Sequence, residues 1–582
     1  MSAFLKVEAS LTGRRWVGLT PDQDRMAQAM AQQTNLPQPL CQTLSRLGVP
    51  VSNAERYLAP TLKELLPDPS VLRDMDLAAE RILKAAQTSE KIAIFADYDV
   101  DGATSAALLI NWLRDMGLAA TLYIPDRIDE GYGPNEPAME ALARDHDLII
   151  CVDCGTLSHD ALAAGSAADI IVLDHHLGGE TLPPALAVVN PNRQDETGDL
   201  AHLCAAGVVF LTLVALNRLL KSQGKSGPDL MALLDLVALG TVADVAPLIG
   251  VNRALVVQGL KVMGQRNRIG LKALADIARM DTAPTSYHLG FLLGPRINAG
   301  GRVGTPDLGA RLLSTLDNSE AEALSERLDM LNTERREIEE QVRIAALAQA
   351  EERGFDAPLV WAAGQGWHPG VVGIVASRLK EATNRPAVVI GLEDGIGKGS
   401  ARSVTGIDLG AQIQRLALEG HLIKGGGHKM AAGLTVAEDK LETAMARLSE
   451  MMEKQGAGAL GPRDLKLDGL MMASAASVPL VEQLEKAGPF GAGAAAPRFA
   501  FPDQQIGFTK EVGQGHLKLS FSDGMGAKID AISFGAAENG LMKALMQHKG
   551  ARFHLAGRVE INTWQGRQSV QLRLEDAAPS QS

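Results

Sequence analysis

A chain of 582 residues is too long to close around a single core, so three or four domains are expected. With 46% hydrophobic and 21% charged residues, its composition is that of an ordinary globular protein. A net charge of −13 argues against a surface coated in nucleic-acid-binding basic patches, but leaves room for a local basic groove and suits a site built from carboxylates.

Residues 1–85 read as a mixed N-terminal extension, with short helices at 40–47 and 62–66 punctuated by Pro60, Pro67 and Pro69. Gly13-Arg14-Arg15-Trp16 reads as an exposed basic turn. Lys6, Glu8, Arg14 and Arg15 fall where a signal peptide would need an unbroken apolar run. No window is expected to reach the ~20 apolar residues of a membrane span. The four cysteines, Cys41, Cys151, Cys154 and Cys204, are too few to staple a chain this long and point to a reducing, cytoplasmic setting. Cys151 and Cys154 make a CxxC with no second pair, which argues against zinc.

From Lys91 onward short apolar runs alternate with helical stretches, the pattern of a parallel doubly wound sheet. Strands are expected at 92–96, 121–124, 148–152, 170–173 and 187–190, with a helix at 103–116. Three of these runs end in polar clusters: Asp97-Tyr98-Asp99-Val100-Asp101-Gly102, Asp153-Cys154-Gly155 and Asp174-His175-His176. Ligands of such sheets bind outside the carboxyl ends of the strands, where all three clusters fall. Carboxylates this crowded repel one another unless a cation holds them ionised, and hard oxygen donors suit Mg²⁺ or Mn²⁺. A helical region over 205–239 then leads to Asp244, a lone acid in an apolar stretch that is either a helix cap or a further carboxylate of the same site.

Between 318 and 353 the spacing of Leu324, Leu328, Leu331, Ile338, Val342 and Ala345 predicts a helix about 50 Å long, read as a rod joining two lobes, with Asn332-Thr333 as a possible break. A second lobe opens with a strand at 359–362 and a helix from 371, followed by a strand at 386–390. It carries two glycine-rich segments, 397–403 and 425–429. Triple glycine is costly unless a backbone must approach something closely. The neighbouring Ser400, Arg402, His428 and Lys429 are suited to grip phosphate oxygens. Beyond a linker at 456–461, strand-like runs at 499–501, 517–521, 527–534, 552–561 and 568–574, with a helix near 540–548, suggest an OB-fold barrel. Phe521, Phe534 and Trp564 are either stacking platforms or core.

These segments together resemble the DHH phosphoesterases. The four N-terminal motifs of that family match Asp97–Gly102, 152–155, 174–176 and 238–244 in order, and the match continues through 294–302, 366–370, 399–403 and 425–433. Two departures stand out. Phe95-Ala96 replaces the usual His-Gly before Asp97, which leaves Asp97 as either a metal ligand or a supporting group, and Asn298-Ala299-Gly300-Gly301-Arg302 replaces Asn-Ala-Ala-Gly-Arg.

The resemblance implies an α/β two-lobed core plus an OB-fold barrel: an extension at 1–85, a DHH catalytic domain at 86–315, a connecting helix at 316–355, a DHHA1 domain at 356–455 and the barrel at 462–577. It implies a nuclease of recombination and repair that hydrolyses single-stranded DNA 5′ to 3′ to 5′-mononucleotides with two Mn²⁺ or Mg²⁺ ions. The implied metal set is Asp97, Asp99, Asp101, Asp153, His175 and Asp244. Asp153 bridges the ions, His176 contacts the scissile phosphate and Asp174 orients its neighbours. Arg296, Asn298, Arg302, His368, Ser400, Arg402 and His428 are the implied substrate contacts. The implied partners are single-stranded DNA, a single-strand-binding protein and a RecQ-type helicase, with no membrane and no second copy required. The alternatives are a phosphoesterase of short oligonucleotides or small nucleotides, and a non-catalytic replication scaffold.

Overall fold

The structure, a computed structural model, describes residues 3–127, 129–459, 464–537 and 540–580. It divides into two compact units, Leu65–Leu460 and a second made of Met1–Glu64 with Gly461–Ser582. Residues 460 and 461 of the expected linker lie outside the described residues.

In the larger unit five strands run parallel in the order Ala120–Tyr123, Ile92–Ala96, Leu148–Val152, Asp169–Leu173, Ala187–Val189. Ile92–Ala96 and Leu148–Val152 are buried along their whole length, as sheets covered on both faces require. One face packs Phe95, Ile149, Cys151 and Val172 against Met139, Leu142 and Leu162. Helix Ala205–Ser222 packs against helices Met75–Thr88 and Val100–Asp115. This 18-residue helix corrects one expectation, since by length and composition it would cross a membrane; 67% of it is buried inside the protein, so its apolarity serves the core. The expected helical stretch 205–239 is in fact two helices, this one and Leu234–Ala243.

Helix Asn318–Arg353 is unbroken over 36 residues, its first turn capped by the Asp317 side chain accepting from the Glu320 amide. Asn332 does not interrupt it, because its side chain accepts from Arg335 at 3.1 Å and Thr333 bonds back to the Asp329 carbonyl. The helix is also more than a rod. Leu324, Leu328 and Leu331 are buried in its first half, while Val342, Ala346 and Ala350 join the core of the second lobe. That lobe has a five-stranded sheet in the order Lys424–His428, Ala431–Ala437, Ile396–Arg402, Ala387–Glu393, Val360–Gln365. Both glycine-rich segments are therefore strands, and their glycines leave room for packing. A Cβ on Gly399 would meet Ile390 at 2.8 Å, and one on Gly425 would meet Ile413 at 2.8 Å.

The smaller unit is a barrel of Phe499–Val512, His516–Ser522, Lys528–Ser533, Arg552–Trp564 and Arg567–Pro579, closed by the pairing of the first strand with the fourth. Phe521 belongs to its core; Phe534 and Trp564 are exposed. The expected extension over 1–85 is not one piece. Residues 3–64 fold with the barrel, and Leu40, Cys41 and Leu44 share its core with Phe499 and Phe501. Trp16 is not in an exposed turn: it is fully buried, its Nε1–H donating to Asp576 at 2.9 Å, while its short strand pairs with Leu465–Lys466. Trp16→Ala should destabilise this unit by about 3–5 kcal/mol, because it opens a cavity and removes a donor from a buried carboxylate. Limited proteolysis during heating should then cleave within 464–580 well before 65–459; unchanged protection of the barrel would refute the assignment.

Candidate active site

Strand register builds the site. Ala96 lies opposite Val152, and Val152 opposite Leu173, so the next residue of each strand, Asp97, Asp153 and Asp174, emerges at one common edge. The ladder continues through them: the Asp153 amide donates to Leu173 at 3.0 Å and the Asp174 amide to Val189 at 3.1 Å. Asp99 caps helix Val100–Asp115, accepting from the amides of Asp101 and Gly102 at 2.8 and 3.1 Å. Asp101 is buried and accepts from the Ala205 and Ala206 amides at 2.6 and 2.9 Å, at the start of the next helix. Asp244 closes helix Leu234–Ala243.

Three sets of donor atoms result, each within 4.8 Å: Asp97, Asp99 and Asp153; Asp101, His175 and Asp244; Asp153, His175 and His176. His175 Nε2 stands 3.3 Å from Asp153 and 3.7 Å from Asp101, and its Nδ1 3.9 Å from Asp244. One carboxylate oxygen each of Asp97 and Asp153 is buried without a hydrogen-bond partner. Burial raises the proton affinity of Asp97, Asp101, Asp153 and Asp244, and neighbouring carboxylates raise it further; Asp244 is pushed up to about 9. Asp153 also holds φ +60°, a left-handed backbone that aspartate tolerates better than most residues.

Asp174 behaves differently. Burial works to raise its pKa, but it accepts from His176 Nδ1 at 2.8 Å, from Thr156 Oγ1 at 2.6 Å and from three backbone amides, and its carboxyl is held well below the usual range. The same bond outweighs burial at His176 and lifts its imidazole to about 9. Asn190 and Asn192 hold this turn from behind, donating to the carbonyls of His176 and His175 at 2.8 and 2.6 Å.

A basic group stands beside the acidic one. Arg127 lies over the Tyr98 ring, 5.1 Å from its centroid. After burial, the charge of Arg127 is the next largest influence lowering the pKa of Arg302, of His368 and of Arg402; Arg302 comes down to about 10. Arg302 donates to the Gly370 carbonyl at 3.0 Å, and Arg402 lies beside Ser400 around Gly373. His368 caps helix Pro369–Thr383. His428 is exposed at the end of its strand.

Two expected substrate contacts are occupied within the protein. Arg296 pairs with Asp329 at 2.8 Å and donates to the Leu292 carbonyl, while Asn298 accepts from the Val100 amide at 3.2 Å and so braces the acidic turn. Sequence reasoning passed over Arg127, and over Tyr132, whose hydroxyl donates to the Asp153 carbonyl at 2.9 Å and lies 3.2 Å from the His176 ring nitrogens. The available signal was Gly131-Tyr132-Gly133, both glycines having positive φ.

A parallel sheet with this acid–histidine edge, joined through a long helix to a second lobe, defines a DHH phosphoesterase. Residues 91–241 match the DHH family, N-terminal domain; 356–454 match the DHHA1 domain and 467–576 the RecJ OB domain. The single-stranded-DNA-specific exonuclease RecJ of Bacillus subtilis is 33% identical over 97% of this chain and 71% of its own. The RecJ of Escherichia coli is 36% identical over 90% and 93%. The crystal structure of RecJ from Thermus thermophilus in complex with Mn²⁺ superposes with a TM-score of 0.79 at 29% identity, covering 97% of this chain and 80% of that one. The chain belongs to the RecJ family of single-stranded-DNA-specific exonucleases.

Proposed function

We propose that this chain hydrolyses single-stranded DNA from its 5′ end, releasing 5′-mononucleotides in recombination and repair, with two Mn²⁺ or Mg²⁺ ions. The observation that carries the reading is the cluster of buried carboxylates with two orphaned oxygens, set beside the arginine group on Arg127, Arg302 and Arg402. Asp97, Asp99 and Asp153 would hold one ion, and Asp101, His175 and Asp244 the other, with Asp153 shared. When bound, the ions would lower the pKa of a water and offset charge on the phosphate. Asp174 accepts from His176 Nδ1 at 2.8 Å and so fixes the direction of the imidazole, which would donate to the scissile phosphate. Arg402 and Ser400, with Arg127 and Arg302, hold the terminal phosphate. Arg296 and Asn298 position the site from the protein side.

The exposed Phe534 and Trp564 suit the barrel to stack unpaired bases, which favours long strands over dinucleotides. A single-strand-binding protein and a RecQ-type helicase as partners rest on the family resemblance. A cytoplasmic setting rests on four free, buried cysteines, and a working monomer on a site drawn from one chain. Incubation with Mn²⁺ and strands labelled at either end tests the reading. A 5′ label should appear at once as mononucleotide and a 3′ label only late; the reverse order would refute it.

Gly102 offers a second test of the geometry. A Cβ there would stand 2.3 Å from the Asp97 carbonyl oxygen, so Gly102→Ala must displace either the Asp97 backbone or the first turn of helix Val100–Asp115, which carries Asp101. A shift near 1 Å should cost about a hundredfold in kcat with little change in circular dichroism. Full activity would show that the turn tolerates movement.

A further inference from the structure

Leu157 and Leu177 are 56% and 57% exposed, and both sit on turns that carry the reactive residues. Leu177 follows His176 directly; Leu157 follows Thr156, which donates to Asp174 through both its amide and its hydroxyl. The two turns touch, since a Cβ on Gly179 would lie 3.3 Å from Leu157 Cδ2. Single exposed leucines are ordinary. These two sit on turns whose backbone is pinned. Asn190 and Asn192 bind the carbonyls of His176 and His175, the Gly178 amide donates to Asn192, and the Ser158 amide closes the other turn on Gly155.

We propose that Leu157 and Leu177 form an apolar shelf for the nucleobase adjoining the scissile phosphate. The proposal rests on the nuclease reading above and names how that site meets its substrate. A phosphate seated at His176 carries its neighbouring base within reach of residue 177, and two leucine side chains can cover the face of any base without a hydrogen bond to its edge. Such a shelf accepts all four bases alike and takes only a base that is unpaired and unstacked. It gives nothing to a nucleotide that lacks its base.

The test uses the full chain with Mn²⁺ and strands in which a tetrahydrofuran abasic unit replaces each of the first three nucleotides in turn. Initial rates over a range of strand concentrations are compared for wild type, for the Leu157→Ser/Leu177→Ser double variant and for Leu177→Met. Wild type should slow about tenfold at one lesion position, chiefly through KM. The double variant should be slowed on intact strands by a similar factor and lose no more at that lesion, because base and shelf form one interaction. Leu177→Met, which keeps the apolar surface, should retain the wild-type contrast. Wild type indifferent to every lesion, or lesion and variant effects that multiply, would overturn the shelf while leaving the nuclease reading intact. A wild type that cleaves no intact strand would overturn both.

Discussion

Asp153→Asn should lower nuclease turnover by a factor of about 10³ or more while leaving the fold intact or firmer. Asn keeps the shape of the side chain and tolerates φ +60°, whereas Ala there would add backbone strain of roughly 1–2 kcal/mol. What Asn removes is the charge shared between the proposed ions. The stability effect has a definite sign. Burial, then Asp99 and Asp101, raise the proton affinity of Asp153 in the folded protein. A carboxyl that binds its proton more tightly when folded lowers stability above its ordinary pKa, increasingly until the raised value is passed. In chelator at neutral pH, Asp153→Asn should therefore melt at the same temperature as wild type or higher. Added Mn²⁺ should raise the wild-type Tm strongly and the variant's little. A variant that turns over at the wild-type rate, or gains the same Mn²⁺ stabilisation, would remove Asp153 from the metal site.

Arg402→Ala should slow digestion of 5′-phosphorylated strands far more than that of 5′-hydroxyl strands. Arg402 is half-buried, and burial together with the charge of Arg127 makes its guanidinium less willing to stay charged than a surface arginine. Arg302 is under the same pressure from Arg127 and Arg335. Like charges that depress one another mark a place that an anion would relieve, and a terminal phosphomonoester carries more charge than an internal diester. Losing one charge-assisted contact of about 1.5–3 kcal/mol should cost roughly ten- to a hundredfold on the phosphorylated substrate. Equal losses on both substrates, at fixed salt, would place Arg402 along the internal backbone and leave the choice of end to other residues.

Asp97, Asp153 and Asp174 were legible because each follows an apolar run, and a parallel sheet gathers strand ends at one edge. What the sequence could not give is register. Only the pairing of Ala96 with Val152 and of Val152 with Leu173 turns three separate motifs into one site. Arg127 and Tyr132 escaped notice because their loop has no periodicity, and their importance lies in what they touch across the fold. Arg296 and Asn298 look like substrate ligands by residue type, and sequence does not show that Arg296 also pairs with Asp329 or that the Asn298 carbonyl accepts from the Val100 amide. The alliance of residues 3–64 with the barrel was hidden for a different reason: Trp16 and Asp576 meet across 560 positions, a separation that local pattern does not reach. Helix Ala205–Ser222 shows the converse limit, since an apolar run reads alike whether lipid or protein surrounds it.

One carboxylate, Asp153, stands in the proposed sites of both ions. Counting bound Mn²⁺ at equilibrium, by titration of chelated wild-type protein and of Asp153→Asn, tests it most directly. Two ions per wild-type chain are predicted, with both sites weakened together in the variant. A single ion in the wild type, or a variant that still binds two with unchanged affinity, would contradict it.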